Sequence, residues 1–105
     1  MAQYDVYENI DKIAGTAKPY LLDVQSDLLH ALATRVVVPL IPVDHISRPV
    51  EILNPVVQIL NKSHYVSSLE IHSIPVGLMG RKFTRLADQH HGDIQNALAF
   101  LFADQ

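Results

Sequence analysis

Two groups of side chains in this 105-residue sequence are of types that could do chemistry: six histidines and a short run of carboxylates. Asp23, Gln25 and Asp27 are two residues apart, so a continuous strand would place all three on one face. One interpretation makes the two carboxylates an acid/base pair. The other is turn chemistry, in which Ser26 and Asp27 hydrogen-bond nearby backbone amides, and we favour the turn.

The histidines lack the spacing of a metal or catalytic site. His90 and His91 are adjacent, so on a helix their rings diverge by about 100° and do not share one metal easily. His64 and His72 lie on or beside predicted strands with no carboxylate at ligand spacing, and the H-E-x-x-H pattern does not occur. With no cysteine, thiolate sites and disulfides are excluded. We expect structural or exposed histidines, no metal and no cofactor.

The composition indicates one domain spanning residues 1–105. A net charge of −3 with only eight Lys and Arg argues against a general nucleic-acid binder. No apolar run approaches the roughly 18 residues of a membrane span, and residues 1–8 do not resemble a secretory signal, so we expect a cytoplasmic protein. The 49% apolar content favours a subunit interface, and hence a homodimer, over the alternative of a well-filled core.

Alternating or β-branched runs predict a series of strands, at residues 3–7, 20–24, 35–41, 56–60, 64–69 and 74–79. Residues 28–33 suit a turn or a strand continuation. Pro39 and Pro42 lack an amide donor, so they should mark the end of the third strand or an edge. The tripeptide at 61–63 is expected to form a hairpin turn, and Gly80 to close the last strand.

The clearest element is a C-terminal helix. Ile94, Ala97, Leu98 and Leu101 follow the i, i+3, i+4, i+7 spacing of one apolar stripe. We expect Leu98 and Leu101 to be core residues, and Asp88 or Thr84 to cap the start of the helix. A run of strands followed by one helix predicts a β-rich α+β domain whose antiparallel sheet packs against that helix.

Three segments stand out together: LLDVQSDLL at 21–29, RVVVPL at 35–40 and GDIQNALAFLF at 92–102. In this order and spacing they resemble the CcdB family of toxins, small dimeric proteins that poison DNA gyrase and are neutralised by the antitoxin CcdA. The resemblance covers nearly the whole chain and is weakest over residues 43–73.

The resemblance implies a fold and a mechanism. The fold is an SH3-like barrel, shared with the Kid and MazF ribonuclease toxins, plus a C-terminal helix. The mechanism is binding by a homodimer that is not an enzyme, which wedges into the dimerisation domain of the gyrase A subunit and holds the cleavage complex open. A CcdA-like antitoxin would bind through a disordered tail that folds on contact.

The resemblance also implies which residues face gyrase: Leu28, Leu29, Ala99, Phe102, Ala103, Asp104 and Gln105. From the sequence alone, two leucines after a polar turn are as readily core residues. The best-known members end in Phe-Trp-Gly-Ile, whereas this chain ends in Ala-Asp-Gln after Phe102 and has no tryptophan. Ala99 stands where the family has asparagine. Since a lost interface tryptophan removes an anchor of about 2 kcal/mol or more, we expect weakened gyrase poisoning.

Two other functions stay open. A protein of this fold that has lost or changed its target would survive as an antitoxin-binding decoy. A MazF-like ribonuclease toxin is the enzymatic alternative, because Arg35 before a β-run is superficially similar to the Arg-Pro strand of MazF. The early Arg-Gly-Asp and the Gly-rich Glu-Gln segment of those enzymes are missing here.

Overall fold

The computed structural model describes residues 1–10, 18–45 and 49–104. These residues form seven strands and one α-helix, with single 3-10 turns between several of them. The strands are β1 (Asp5–Glu8), β2 (Tyr20–Asp23), β3 (Thr34–Pro42), β4 (Val56–Ile59), β5 (Lys62–Val66), β6 (His72–Pro75) and β7 (Lys82–Arg85), and the helix is α1 (His91–Leu101). No helix in the described part of the chain is long and apolar enough to cross a membrane.

All strand pairs are antiparallel, in the order β4-β5-β3-β2-β1-β7, with β6 also paired to β3. The sheet curls into a half-barrel with the single helix packed on it. This confirms the prediction of an antiparallel, SH3-like barrel with one C-terminal helix. Buried side chains from β1 to β5 form an apolar core that includes Ile94 of the helix, and Ala97 of the helix is also fully buried.

Pro39 lies inside β3 rather than at its end or at an edge. The first half of β3 pairs with β6 and its last three residues pair with β5, so β3 changes partner between Val37 and Leu40. The Pro39 carbonyl accepts from Ser67 N at 2.9 Å. Since a residue's amide and carbonyl point to the same side of a strand, the missing N–H of Pro39 faces the gap where the partners change. A buried strand therefore tolerates this proline.

The sixth predicted strand is only partly correct. The prediction placed it at residues 74–79, whereas the observed strand, β6, begins at His72, ends at Pro75 and is followed by a 3-10 turn. The sequence prediction missed β7 altogether, because its charged ends obscure the alternation. Gly80 precedes β7 and is required there, because an added Cβ would lie 2.0 Å from the Glu8 carbonyl oxygen. The β4–β5 turn lies at Leu60 and Asn61, both with positive φ, one residue before the predicted tripeptide.

The helix begins without the expected side-chain cap. Its N-cap is His90, which makes no capping hydrogen bond, and a 3-10 turn (Asp88–His90) leads into it. The apolar stripe faces the core as predicted, but its burial decreases toward the C-terminus. Leu98 packs against the core while only partly buried, and Leu101 is also half-buried. The helix end is therefore a surface feature.

Candidate functional site

The two leucines after the polar turn are exposed. Residues Asp27–Leu29 form a 3-10 turn, in which the Ser26 hydroxyl accepts from the Leu28 amide at 3.2 Å. The Leu28 side chain is 91% exposed and that of Leu29 is 49% exposed. Ser26 therefore does the turn chemistry that the sequence predicted, and the alternative of a core leucine pair is wrong.

A buried polar network lies directly behind this turn. Arg35 donates to both carboxylate oxygens of Asp23, from Nε at 2.7 Å and from Nη2 at 3.0 Å. Both side chains are almost fully buried. The hydrogen bond to Asp23 raises the pKa of Arg35 above its ordinary value. Nearby, burial and the Asp5 carboxylate raise the pKa of Tyr7 to about 12, so Tyr7 is a neutral member of this interior.

Gln25 connects the network to the exposed turn. Its amide N–H donates to Asp23 Oδ1 at 3.0 Å, and its side-chain oxygen accepts from Val36 N at 3.0 Å. Its side-chain Nε2 donates to the Leu29 carbonyl at 3.0 Å. These bonds tie the leucine turn to β3, so the two exposed leucines are held on a rigid support. Asp23 and Asp27 do not form an acid/base pair, because Asp23 is committed to Arg35.

The N-terminal residues join the turn to the helix. Gln3 N donates to Asp27 Oδ1 at 2.8 Å, and Gln3 Nε2 donates to the Val24 carbonyl at 3.1 Å. The next residue, Tyr4, receives a hydrogen bond on its hydroxyl from Gln95 Nε2 at 3.0 Å. A chain of contacts thus runs from the leucine turn through residues 3 and 4 to the solvent side of α1.

Tyr4 is held in an uncommon backbone conformation. Its φ of 73° lies in the left-handed region, which is unusual for a bulky residue. Its amide donates to the Asp23 carbonyl at 2.6 Å, and its ring stacks on His91 with centroids 3.7 Å apart. Strain of this kind persists where the surroundings over-determine it, and it concentrates at functional sites.

The end of α1 carries the remaining residues that the resemblance nominated. Gln95, Ala99 and Phe102 follow i, i+4, i+7 spacing, and all three are exposed, Phe102 by 70%. Ala103 and Asp104 are also exposed, whereas Gln105 lies outside the described residues. The sequence prediction did not assign Gln3, Tyr4, Gln25 or Gln95 to the partner-facing site. Only the even spacing that singled out Gln25 offered a signal for any of them.

The histidines are dispersed over the molecule. His64 is buried, and burial lowers its pKa below the ordinary value. His72 contacts the Glu70 carbonyl, His90 accepts from Gln58 N, and His91 stacks on Tyr4. No group of three His, Asp or Glu side chains within the described ranges is arranged to hold a metal ion.

Comparison with known proteins decides the family. The model of the CcdB protein family matches residues 3–103. The chain belongs to the CcdB family. It is therefore a toxin of the kind found in toxin–antitoxin modules, and the matched range includes the leucine turn and the whole of α1.

Solved structures share the CcdB-like fold of this chain. One is an endoribonuclease in complex with its cognate antitoxin from a mycobacterial species, at TM-score 0.78 and 17% identity, covering 100% of this chain and 99% of that one. A second mycobacterial endoribonuclease matches at TM-score 0.71 and 19% identity, covering 95% and 88%. An Mtb toxin matches at TM-score 0.71 and 20% identity, covering 92% and 99%.

These neighbours overturn one expectation. The resemblance implied a protein that is not an enzyme, but two structural neighbours of this chain are named endoribonucleases. The exclusion of enzymatic activity was wrong because it rested on one family's mechanism, whereas function resides in sites carried by a fold. Arg35, the residue singled out for its similarity to MazF, is 1% exposed and bound to Asp23, so it is not available to contact RNA.

Proposed function

We propose that this CcdB-family toxin acts by binding the A subunit of DNA gyrase and trapping its cleavage complex. The contact surface, called here the turn–helix surface, consists of Leu28, Leu29, Ala99, Phe102, Ala103, Asp104 and Gln105. The observation that carries the proposal is the 91% exposure of Leu28 on a turn that the buried Gln25 side chain holds by a hydrogen bond to the Leu29 carbonyl. A leucine that is held rigidly at the surface adds nothing to the packing of its own core, but it can fill an apolar pocket of a partner.

The altered tail sets the expected affinity. Phe102 is 70% exposed and supplies one aromatic anchor at the helix end. Asp104 places a negative charge where the family has an apolar residue. Burying an unpaired carboxylate is costly, so we expect weak binding to the gyrase A fragment of a typical enteric bacterium.

Calorimetric titration of the purified toxin with that gyrase A fragment tests the proposal. Replacing Ala103-Asp104-Gln105 with Trp-Gly-Ile should strengthen binding, and Leu28→Ser in the grafted protein should weaken it by about tenfold or more, the effect of an interface hot spot. Leu60→Ser is the matched control, because Leu60 is 70% exposed on the β4–β5 turn. A graft that does not improve binding would refute the turn–helix surface.

The proposal includes a homodimer and an antitoxin partner for a single-domain, cytoplasmic toxin. The structural neighbour that is in complex with its cognate antitoxin supports an antitoxin partner for this chain. Exposed apolar side chains support the dimer: Leu69 is 62% exposed on a 3-10 turn that packs against α1, and Phe102 is 70% exposed after the end of that helix. Sedimentation at micromolar concentration should give twice the 11.7 kDa mass of the chain, and a monomer alone would refute the dimer.

Antitoxin binding without any gyrase binding would favour the decoy function.

Endoribonuclease activity is a second candidate, supported by the names of the structural neighbours. Exposed cations that could hold an RNA backbone lie on and beside β7, at Arg81, Lys82 and Arg85. Incubating purified protein with single-stranded RNA tests this function. Cleavage that is lost when the three cations become alanine, and kept in Lys62→Ala, would favour it over gyrase binding. Intact RNA at high protein concentration would refute it.

A further inference from the structure

The outer edge of β4 pairs with no other strand in the part of the chain that the structure describes. It is the terminal strand of the sheet, and its inner edge pairs with β5. Val66 N donates to the Pro55 carbonyl, so every second residue from Pro55, including Val57, directs its backbone groups toward β5. The backbone groups of Val56 and Gln58 therefore point outward, as the hydrogen bond from Gln58 N to His90 Nε2 at 3.3 Å also indicates.

Three main-chain groups are available at this edge. They are the N–H and C=O of Val56 and the C=O of Gln58, none of which has a hydrogen-bond partner within the described ranges. The strand is also short, with four residues, and Pro55 directly precedes it, which limits any addition to a few residues.

A groove of about 760 Å³ is lined by Val56 of β4 and Tyr65 of β5, and its volume lies within the size range of ligand clefts in proteins. One wall comes from the turn that precedes β4 and includes Ile52, and the other comes from Asp93 and Asn96 on α1. Ile52 is 47% exposed and Val56 45% exposed. The groove therefore combines apolar side chains with unpaired backbone groups, which is the combination that recognises an extended peptide.

The charges of the groove select the peptide. Among the described residues that line it, Glu51 and Asp93 are the only carboxylates and none is Lys or Arg, and neither carboxylate forms an ion pair with a described residue. A segment that carried acidic side chains would be repelled, and one with Lys or Arg would be attracted.

We propose that the β4 edge and its groove bind an extended, cationic segment of a partner protein. The segment adds to β4 as an antiparallel or parallel strand through Val56 and Gln58. Its apolar side chains lie against Ile52 and Val56, and its cations lie against Glu51 and Asp93. The proposal uses no residue of the turn–helix surface, so its outcome is independent of gyrase binding.

A pair of peptides tests the proposal with the full-length protein. The probe is the blocked heptapeptide Thr-Lys-Val-Lys-Val-Lys-Thr, and the matched control is the same peptide with Glu in place of each Lys. Titration into isotope-labelled protein should shift the backbone amide signals of Val56 and Gln58 saturably. The Lys peptide should bind at least about tenfold more tightly than the Glu peptide, because two carboxylates face the site.

Two kinds of variant separate the backbone from the charge contribution. Val56→Pro removes an outward N–H that β5 does not use, and should weaken binding roughly fivefold, the worth of one hydrogen bond. The double variant Glu51→Lys with Asp93→Lys should reverse the preference between the peptides. Asp44→Lys is the control, because Asp44 is exposed outside the groove. Circular dichroism verifies that each variant is folded.

Several outcomes would overturn the proposal. These are the absence of saturable shifts at Val56 and Gln58, shifts confined to the turn–helix surface, or equal binding of the Lys and Glu peptides. Shifts at the same amides on raising the concentration of the protein alone would also overturn it, since a second copy would then occupy the edge.

Discussion

The buried ion pair behind the leucine turn makes a strong prediction about stability. Asp23→Asn preserves the shape of the side chain but leaves the Arg35 charge without a counter-ion in a site where Arg35 is 1% exposed. Breaking a buried pair from one side costs about 3–5 kcal/mol. Domains of this size unfold with only about 5–15 kcal/mol. The variant should therefore lose a large fraction of its stability.

Urea denaturation at fixed protein concentration measures this loss. With a urea dependence of about 2 kcal/mol per molar, the midpoint should fall by about 2 M. Asp27→Asn is the matched control: the chemical change is the same, but Asp27 is exposed and an amide oxygen can still accept from Gln3 N. Its free energy of unfolding should change by less than about 0.5 kcal/mol.

A double variant tests whether the buried charge causes the effect. Arg35 Nη1 has no hydrogen-bond partner in the described structure, so Arg35→Met removes both the charge and an unsatisfied donor. Asp23→Asn combined with Arg35→Met should be more stable than Asp23→Asn alone, because no charge remains buried. A midpoint for Asp23→Asn within about 0.5 M of the parent would refute the argument, as would a double variant no better than the single one.

Three further predictions follow from burial. Burial lowers the pKa of His64, so the unfolded state binds the proton at a higher pH than the folded state does. The free energy of unfolding should therefore be fully present above the ordinary pKa of 6.5 and decline below it. Denaturation at one pH above and one pH below 6.5 should show a smaller decline in His64→Gln. Tyr7, with a pKa raised to about 12, should stay un-ionised in absorbance titrations to about pH 11. Ionisation of all four tyrosines below that pH would contradict this. Leu98→Ala should cost about 1–3 kcal/mol by denaturation, less than a fully buried leucine, and a loss below about 0.5 kcal/mol would mean that this face of α1 does not pack.

Local pattern predicted most of the elements but not how they pair. The sequence predicted β3 and α1 correctly. In each, the spacing of the apolar residues agrees with the side chains that the structure buries. Pro39 was wrongly predicted to mark a strand end or an edge. A proline is tolerated inside β3 because the strand changes partner there, from β6 to β5, and the sequence of one strand does not reveal its pairing partners. The strand β7 was missed because its end residues, Lys82 and Arg85, are charged, and both pair with the buried Asp5, a partner 77 or more residues away in sequence.

The candidate site depended on family resemblance because its decisive property is the absence of burial. Pattern analysis assigns leucines to cores, and nothing local distinguishes Leu28 at 91% exposure from the fully buried Leu22. What holds Leu28 outward is Gln25, which bonds both Val36 N and the Leu29 carbonyl, and Gln25 is in turn aligned by the Asp23–Arg35 pair. The sequence contains every member of this network within 14 residues, yet their roles emerge only when β2 and β3 are paired. The same buried pair that makes Arg35 inaccessible to RNA thus holds the leucine turn at the protein surface.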